Sequence, residues 1–316
     1  MTFLKIDFQT DEVKMNVHLK RTRKSSIFNY LLTVLMVGNL SGNLLFAQNF
    51  GLKELGEVSG GTLVVGLSGN DTIDDYLKEA IDRYWNFKEI SDYLPLEEAE
   101  KMAKKDKRLF VLHLGRGASC LPTRRRYVSV AHRVMISDGK SFFSKPKIYS
   151  YYPTYGDPGS ITREGVLFGV AALEHTCKIM VEDYIKSYWK WNAIFNKYND
   201  ELANKTVLLL ENWLEEDLTE QEIQEIYPYP VKVVNDQVWL DAVVNKKENL
   251  VPVVIVPIPQ AGNFTYVHYF WESGEPKILG TAYSKFNVQI EGNMVTPSNM
   301  GYITDKNVKM YAKMVK

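Results

Sequence analysis

Cysteine is scarce in this 316-residue chain, which contains only Cys120 and Cys177. The two residues do not form a Cys-x-x-Cys pair, which excludes the usual chemistry of dithiol redox enzymes. Neither cysteine follows the apolar run near the amino terminus, so no lipid attachment is expected. In an oxidising compartment the two could form one disulfide, and the alternative is a pair of buried or unreactive thiols.

Net charge is also absent, because Lys+Arg and Asp+Glu both number 38. A balanced chain has no overall field that attracts nucleic acid or an anionic membrane surface, so nucleic acid is not an expected partner. Hydrophobic residues make up 45% of the chain and aromatic residues 12%, which is enough to form proper cores. The length and composition therefore indicate a globular protein with room for two domains.

Familiar catalytic and metal-binding motifs are missing. No Gly-x-Ser-x-Gly elbow is present, and His175 and Cys177 lack the four-residue spacing of a zinc-binding helix. Segment 66–70 lacks the lysine and the glycine spacing of a phosphate-binding loop, so a simple strand-to-helix turn is predicted there. A metal site would require His113, His132 and the two cysteines to converge. Neither a metal nor a cofactor is expected.

The amino-terminal region has the pattern of a signal peptide. Four basic residues precede an uncharged run from Ile27 to Ala47, and this order predicts export with cleavage after Ala47. The alternative is a retained membrane anchor, because the run is about long enough to cross a bilayer, although polar residues dilute it. Export implies a periplasmic or secreted protein, whose true start is either Met1 or Met15. The basic residues are Lys20, Arg21, Arg23 and Lys24.

The rest of the chain contains an internal repeat. Strand-like segments 61–67 and 205–210 are each followed by a helix whose start has the spacing of a capping box, Thr72 with Asp75 and Thr219 with Glu222. Later elements match at a nearly constant offset, which indicates duplication of one module. The matching segments are Phe87–Ile90 with Val231–Val234, Pro95–Lys105 with Asp236–Lys247, Leu109–Leu114 with Val253–Ile258, and Tyr127–Val130 with Tyr266–Tyr269.

Each module has the predicted order β-α-β-α-β-β-(β)-α. The first strands imply parallel pairing with a right-handed crossover, and the later hairpins imply antiparallel pairing. The prediction is an α/β (α+β) protein of two tandem repeats, each a mixed sheet with helices mainly on one face; thioredoxin-like modules are the alternative. A long helix, from about Arg163 to near Asn199, closes module one. The predicted division is residues 1–47 for the amino-terminal extension and signal peptide, 48–203 for module one and 204–316 for module two.

This element order, with a hairpin turn at Asp138-Gly139-Lys140, resembles the amino-terminal domain of the TolB translocation protein and the curli-assembly lipoprotein CsgG. The chain also looks like duplicated secreted proteins of unknown role in bacterial envelopes. The resemblance covers roughly residues 61–200 and 205–316 and rests on no invariant motif. The chain lacks the lipid-bearing cysteine of the curli lipoprotein, which puts a pore or lipoprotein role in doubt. Such a resemblance implies a fold and says little about function.

Two segments are candidates for partner binding. Four arginines surround Cys120, and guanidinium groups bind carboxylates or phosphates. Aromatic segment 149–156, predicted to be a loop, could form a binding surface. The alternatives are a solvated loop for the arginines and a cap on the groove between the modules for the tyrosines. The candidate residues are Arg116, Arg124, Arg125, Arg126, Tyr151, Tyr152 and Tyr155.

These observations favour a non-catalytic periplasmic or envelope-associated protein that binds an envelope protein or a glycan. The second hypothesis is an exported enzyme, hydrolytic or thiol-dependent, that uses the region of Cys120, His113 and His132. After cleavage of the signal peptide, no stable insertion into a membrane is expected.

Overall fold

The structure, a computed structural model, describes residues 6–7, 15–17, 52–120, 127–140, 148–153, 160–183, 196–245, 247–260, 263–283, 287–291, 294–298 and 302–315. Within these ranges the chain is an α/β protein. The basic residues and the apolar run Ile27–Ala47 of the predicted signal peptide lie outside them, as do Arg124, Arg125, Arg126 and Tyr155. None of the helices in the described ranges combines the length and hydrophobicity that a membrane span requires.

In the described residues, module one contains a five-stranded mixed sheet with four helices. Two short paired strands, β1 (Ile6–Asp7) and β2 (Met15–Val17), precede it in the chain. The sheet strands are β3 (Thr62–Leu67), β4 (Ile90–Pro95), β5 (Leu109–Cys120), β6 (Tyr127–Ser137) and β7 (Ile148–Pro153). The helices are α1 (Leu52–Ser59), α2 (Asp71–Tyr84), α3 (Leu96–Lys105) and α4 (Arg163–Glu182).

The strand order in this sheet is β4-β3-β5-β6-β7. Strand β3 pairs parallel with β4 and β5, whereas β5–β6 and β6–β7 are antiparallel. The parallel half comes from the strand-helix-strand crossovers, and the antiparallel half comes from hairpins.

Module two contains a second sheet with the same order and the same directions. Its strands are β8 (Thr206–Leu210), β9 (Val231–Val234), β10 (Leu250–Gln260), β11 (Asn263–Glu272) and β12 (Lys277–Tyr283), in the order β12-β11-β10-β8-β9. Strand β8 pairs parallel with β9 and β10, and β10–β11 and β11–β12 are antiparallel. The helices are α5 (Glu220–Ile226), α6 (Asp236–Val244) and α7 (Asp305–Met314). The common topology agrees with the expected element order, while descent of both modules from one ancestor stays a prediction.

A small third sheet joins the two ends of the chain. The hairpin of β13 (Asn287–Glu291) and β14 (Met294–Ser298) pairs through β14 with β2. The strand order is β1-β2-β14-β13. The predicted cleavage after Ala47 would remove β1 and β2 and leave β14 paired with β13 alone.

Helices pack on both faces of each large sheet. In β3, Leu63 and Val65 contact the cluster that includes α2 and α4, whereas Val64 faces Ala99 and Ala103 of α3. Successive residues of a strand point to opposite faces, and both faces of β3 are apolar. Among the described helices of module one, α1, α2 and α4 share one face, as the prediction of helices mainly on one face has it. Helix α3 covers the other face, because a strand buried on both sides needs a cover on each.

The central core belongs to both modules. Helices α1, α2 and α4 of module one and α6 of module two share one buried cluster with both sheets. Phe168 of α4 packs edge-on against Trp271 of β11, with ring centroids 5.4 Å apart. At the same junction, Arg83 donates a hydrogen bond to the carbonyl oxygen of Val244 at 3.2 Å, at the carboxyl end of α6. A cationic side chain there satisfies a carbonyl that the helix leaves open.

Several predicted local details differ from the structure. Helix α2 begins after Asn70, whose side chain accepts the Ile73 amide, so Thr72 is inside the helix and forms no capping box. Strand β4 begins at Ile90, and segment 148–153 is edge strand β7 where a loop was predicted. Helix α4 ends at Glu182, and Asn199–Asn204 is a 3-10 helix. The capping box of Thr219 and Glu222 is present.

Candidate functional site

His113 is a buried structural residue of β5. Its Nδ1–H donates to the Leu114 carbonyl oxygen at 3.1 Å, because that oxygen only accepts, and its Nε2 therefore accepts the Ser137 hydroxyl hydrogen at 2.6 Å. Ser137 in turn accepts the Gly139 amide at 3.0 Å. Burial lowers the pKa of His113 to about 4, so the imidazole is neutral at pH 7. The three groups fix the hairpin turn, where Gly139 has φ of 72°, a conformation that favours glycine.

The antiparallel pairing of β5 with β6 does not bring Cys120, His113 and His132 together. Cys120 and His113 are seven residues apart on the same strand, which corresponds to about 23 Å at the usual rise per residue. His132 pairs with Arg116, between them. A catalytic pair requires atoms within hydrogen-bonding distance, and this backbone spacing separates the three residues along β5 and β6.

The other sequence-predicted chemistry is also dispersed. Cys177 is buried on α4, whereas the side chain of Cys120 is not among those described, so their disulfide stays a prediction. His268 is fully buried on β11 with its Nδ1 bonded to the Tyr311 hydroxyl. In the part of the chain that the structure describes, no three histidine, cysteine or acidic side chains form a group able to hold a metal ion.

Asp74 occupies the backbone amides of the turn after β3. Its carboxylate accepts the amides of Ser68 and Gly69, at 2.7 and 2.9 Å, and the Ser68 hydroxyl at 2.8 Å. Because an internal carboxylate already fills this position, the turn offers no open cradle for an external phosphate. This arrangement fits the predicted strand-to-helix turn.

Replacement of Asp74 by alanine should lower the free energy of unfolding by about 2 kcal/mol, because two part-buried amides lose a charged acceptor. Chemical denaturation of purified protein measures this effect. Asp75, on the exposed side of the same helix, supplies the control, and Asp75→Ala should change stability by less than about 0.5 kcal/mol. Equal effects of the two substitutions would contradict the role given to Asp74.

The sequence-predicted binding residues are only partly located. Arg116 lies on β5 opposite His132, and Tyr151 and Tyr152 lie on β7 opposite Met135 and Val134. Arg124, Arg125, Arg126 and Tyr155 lie outside the described residues. The structure thus places Arg116 on a different strand from Tyr151 and Tyr152, and the role of all these residues in binding stays a prediction.

A cleft of about 730 Å³ opens in module two at the carboxyl ends of β8 and β9. In open α/β sheets, ligands bind preferentially at the carboxyl ends of parallel strands, and this volume lies within the range of ligand sites. The lining residues are Glu211, Asn212, Leu214, Glu215, Glu216, Leu218, Thr219, Glu220, Val233, Val234, Asn235 and Tyr302.

Local hydrogen bonds hold the walls of the cleft. The loop after β8 begins with a 3-10 turn, Glu211–Trp213, and is bound to the segment before α7. Ile303 donates its amide to the Trp213 carbonyl oxygen at 2.6 Å, and Glu215 donates its amide to the Ile303 carbonyl oxygen at 3.0 Å. Trp213 packs edge-on against Trp239 of α6 at 4.9 Å between centroids. One wall is therefore anchored in the core.

The cleft is acidic and has an exposed aromatic ring. Glu211, Glu215 and Glu216 are exposed, and among the described residues their carboxylates form no hydrogen bond or ion pair. Glu220 accepts the Val233 amide at 3.4 Å. Among the described residues, the lining contains no lysine or arginine, and Tyr302 is 50% exposed. The arrangement can bind a ligand that carries both a positively charged group and an apolar part.

Sequence reasoning missed this cleft, although one signal was present. Between Lys205 and Lys232 the chain contains no basic residue and seven acidic ones. Charge alone would not have revealed a cavity, because an acidic loop is usually a solvated surface. The approach of Tyr302 and Ile303 from the far end of the chain creates the second wall.

Comparison of the chain with protein-family models, with curated proteins and with solved structures finds no match. The resemblance to the TolB and curli-assembly domains therefore stays a prediction.

Proposed function

We propose that this chain is an exported, non-catalytic binding protein of the bacterial envelope, and that the cleft of module two is its binding site. The observation that carries the proposal is the 730 Å³ cleft at the carboxyl ends of β8 and β9, with an anchored wall and an exposed tyrosine. Sites of this position and size hold ligands in other α/β proteins. The signal-peptide pattern supports the location.

The enzyme hypothesis has less support. The hydrogen bond between Ser137 and His113 has the distance of a nucleophile and its base, but Ser137 is fully buried and His113 is 4% exposed. A substrate cannot reach them without opening the sheet. The backbone spacing of Cys120 from His113 does not favour a thiol–imidazole pair between them. The cleft is thus the better basis for a function.

A photo-crosslinking amino acid in place of Tyr302 should form a covalent adduct with the natural partner in cells that produce the protein. The ring at this position is half-exposed and lines the cleft, so a bound partner lies within reach. Mass spectrometry identifies the adduct. The same spectra should place the amino terminus at Gln48, as expected from cleavage after Ala47.

The control position is Met102 of α3, an exposed apolar side chain in module one. Light should produce no specific adduct there. The binding proposal fails if both positions give the same products or if neither gives any. An amino terminus at Met1 or Met15 would contradict the cleavage, fit the retained membrane anchor instead, and leave the cleft part standing.

A further inference from the structure

We propose that the occupant of the cleft is an arginine-bearing extended peptide segment of a partner protein; this inference rests on the proposed function. Three properties of the cleft support it: three exposed carboxylates with no partner among the described residues, an exposed aromatic ring beside apolar side chains, and an outermost strand. Each selects against a different class of ligand.

The charge of the cleft selects a cation. Glu215 and Glu216 are neighbours in sequence, and Glu211 lies on the same loop. No basic side chain of the described lining offsets them, so an anionic ligand would be repelled and a cationic one attracted. In the described residues no three ligands converge on one point as a metal ion requires. Glu211 and Glu215 are four positions apart in this loop, which suits a ligand with separated charges.

The aromatic and apolar surfaces favour arginine. A guanidinium group stacks on a tyrosine ring and at the same time donates two parallel hydrogen bonds to a carboxylate. Tyr302 provides the half-exposed ring. Leu214, Leu218 and Val233 line the same space and are able to cover the aliphatic stems of long basic side chains. A compact ammonium ion would leave these surfaces wet.

The strand edge favours a peptide over a small amine. Strand β9 is the outermost strand of the second sheet, and both Val233 and Val234 line the cleft. The Val233 amide donates to the Glu220 carboxylate at 3.4 Å, a long hydrogen bond that a closer acceptor can replace. An extended peptide that adds to an exposed edge provides main-chain acceptors there, and its side chains give the specificity.

The test is a titration of the purified chain with a fluorescent peptide of sequence Thr-Arg-Val-Arg-Thr-Arg-Val. Two matched peptides replace each arginine by the neutral citrulline or carry N-methyl groups on alternate backbone nitrogens. We expect binding of the first peptide, and binding at least about tenfold weaker for each of the others, since one lacks the charge-assisted bonds and the other lacks strand pairing. Added salt should weaken binding as well.

Two protein variants each lose two negative charges, one variant in the cleft and the other on α3. Glu215→Gln with Glu216→Gln should weaken binding of the arginine peptide about tenfold or more. Glu97→Gln with Glu98→Gln, an exposed neighbouring pair in the first turn of α3, should change it less than about twofold. Circular dichroism checks that all variants are folded. Equal affinities in the two double variants would overturn the inference.

Further outcomes separate this inference from the proposed function. If the arginine peptide does not bind but the crosslinker at Tyr302 captures a partner, the peptide inference fails and the binding function stands. If neither gives a signal, both fail. Equal binding of the N-methylated peptide, with full competition by spermidine at the same concentration, would identify a small amine and overturn the inference. Self-association that Glu215→Gln with Glu216→Gln abolishes would identify a second copy of the chain, which also overturns it.

Discussion

Replacing Phe168 by alanine is expected to lower the free energy of unfolding by about 3–5 kcal/mol, the range for loss of a buried aromatic side chain. Phe168 is 1% exposed and lies on α4 in the middle of the core. Its ring contacts Trp271 at 5.4 Å and Tyr269 at 5.9 Å between centroids, both on β11 of the second module. The substitution therefore opens a cavity between the two modules.

Urea denaturation followed by tryptophan fluorescence measures this change. Val181 on the same helix is 41% exposed, and Val181→Ala should change stability by less than about 0.5 kcal/mol. We expect one transition for the natural chain, because both modules share a core, and a broader or split transition for Phe168→Ala. A loss below about 1 kcal/mol would show that α4 is not the element that joins the modules.

The protein should lose stability as the pH falls from 6.5 to 5, because three histidines are held neutral in the folded state. Burial lowers the pKa of His113 to about 4 and that of His268 to about 3. Burial, with Lys277, Lys178 and Lys197 nearby, lowers the pKa of His175 to about 4. The unfolded chain takes up protons near pH 6.5, and the folded chain does so only at lower pH, so acid favours unfolding.

The expected loss at pH 5 is about 2 kcal/mol for each of His113 and His268, and less for the more exposed His175. Carboxylates with a lowered pKa, such as Glu79 beside Arg163, lose their contribution only at lower pH. Burial raises the pKa of Glu174, and protonation of that group acts in the opposite direction. The interval from pH 6.5 to 5 therefore reports mainly on the histidines.

Urea denaturation at pH 7.5 and pH 5.0 measures the effect. The double variant His113→Gln with His268→Gln is expected to be less stable at pH 7.5 but to show a smaller difference between the two pH values. Since both stabilities are measured on the same variant, a general loss of packing does not obscure the result. An unchanged difference would mean that these histidines are not the groups that take up protons on unfolding.

Much of the fold could be predicted from the sequence because both modules have strong local signals. The apolar runs of β3 and β8 and the capping box of Thr219 locate their elements closely. The predicted secondary structure was wrong where tertiary contacts decide whether a segment forms a strand or a loop. Residues 149–152 contain aromatic and polar groups typical of a loop, yet they form β7, because β6 leaves an open edge with which they pair.

The candidate site could be predicted far less well. Arginines and tyrosines drew attention because their side chains are common in binding surfaces, but several of them lie outside the described residues. The cleft depends on Tyr302 and Glu215, which are distant in sequence and meet through the pairing of Leu214 with Ile303. Such a non-local contact has no signal in a single sequence.

The two modules stack in the same orientation, so that one face of module one packs against the opposite face of module two. Helices α2 and α4 of module one meet the α6 side of module two, while the corresponding α5 and α7 cover the far side of module two. Repeated modules that all stack in the same orientation form an open array. A further module could extend such an array unless the terminal modules are capped. The end at α3 exposes Glu97, Lys101 and Lys105, and the end at α7 exposes Lys306, Lys309 and Lys313. Both ends therefore have the polar outer surface that is typical of the capping units of repeat proteins.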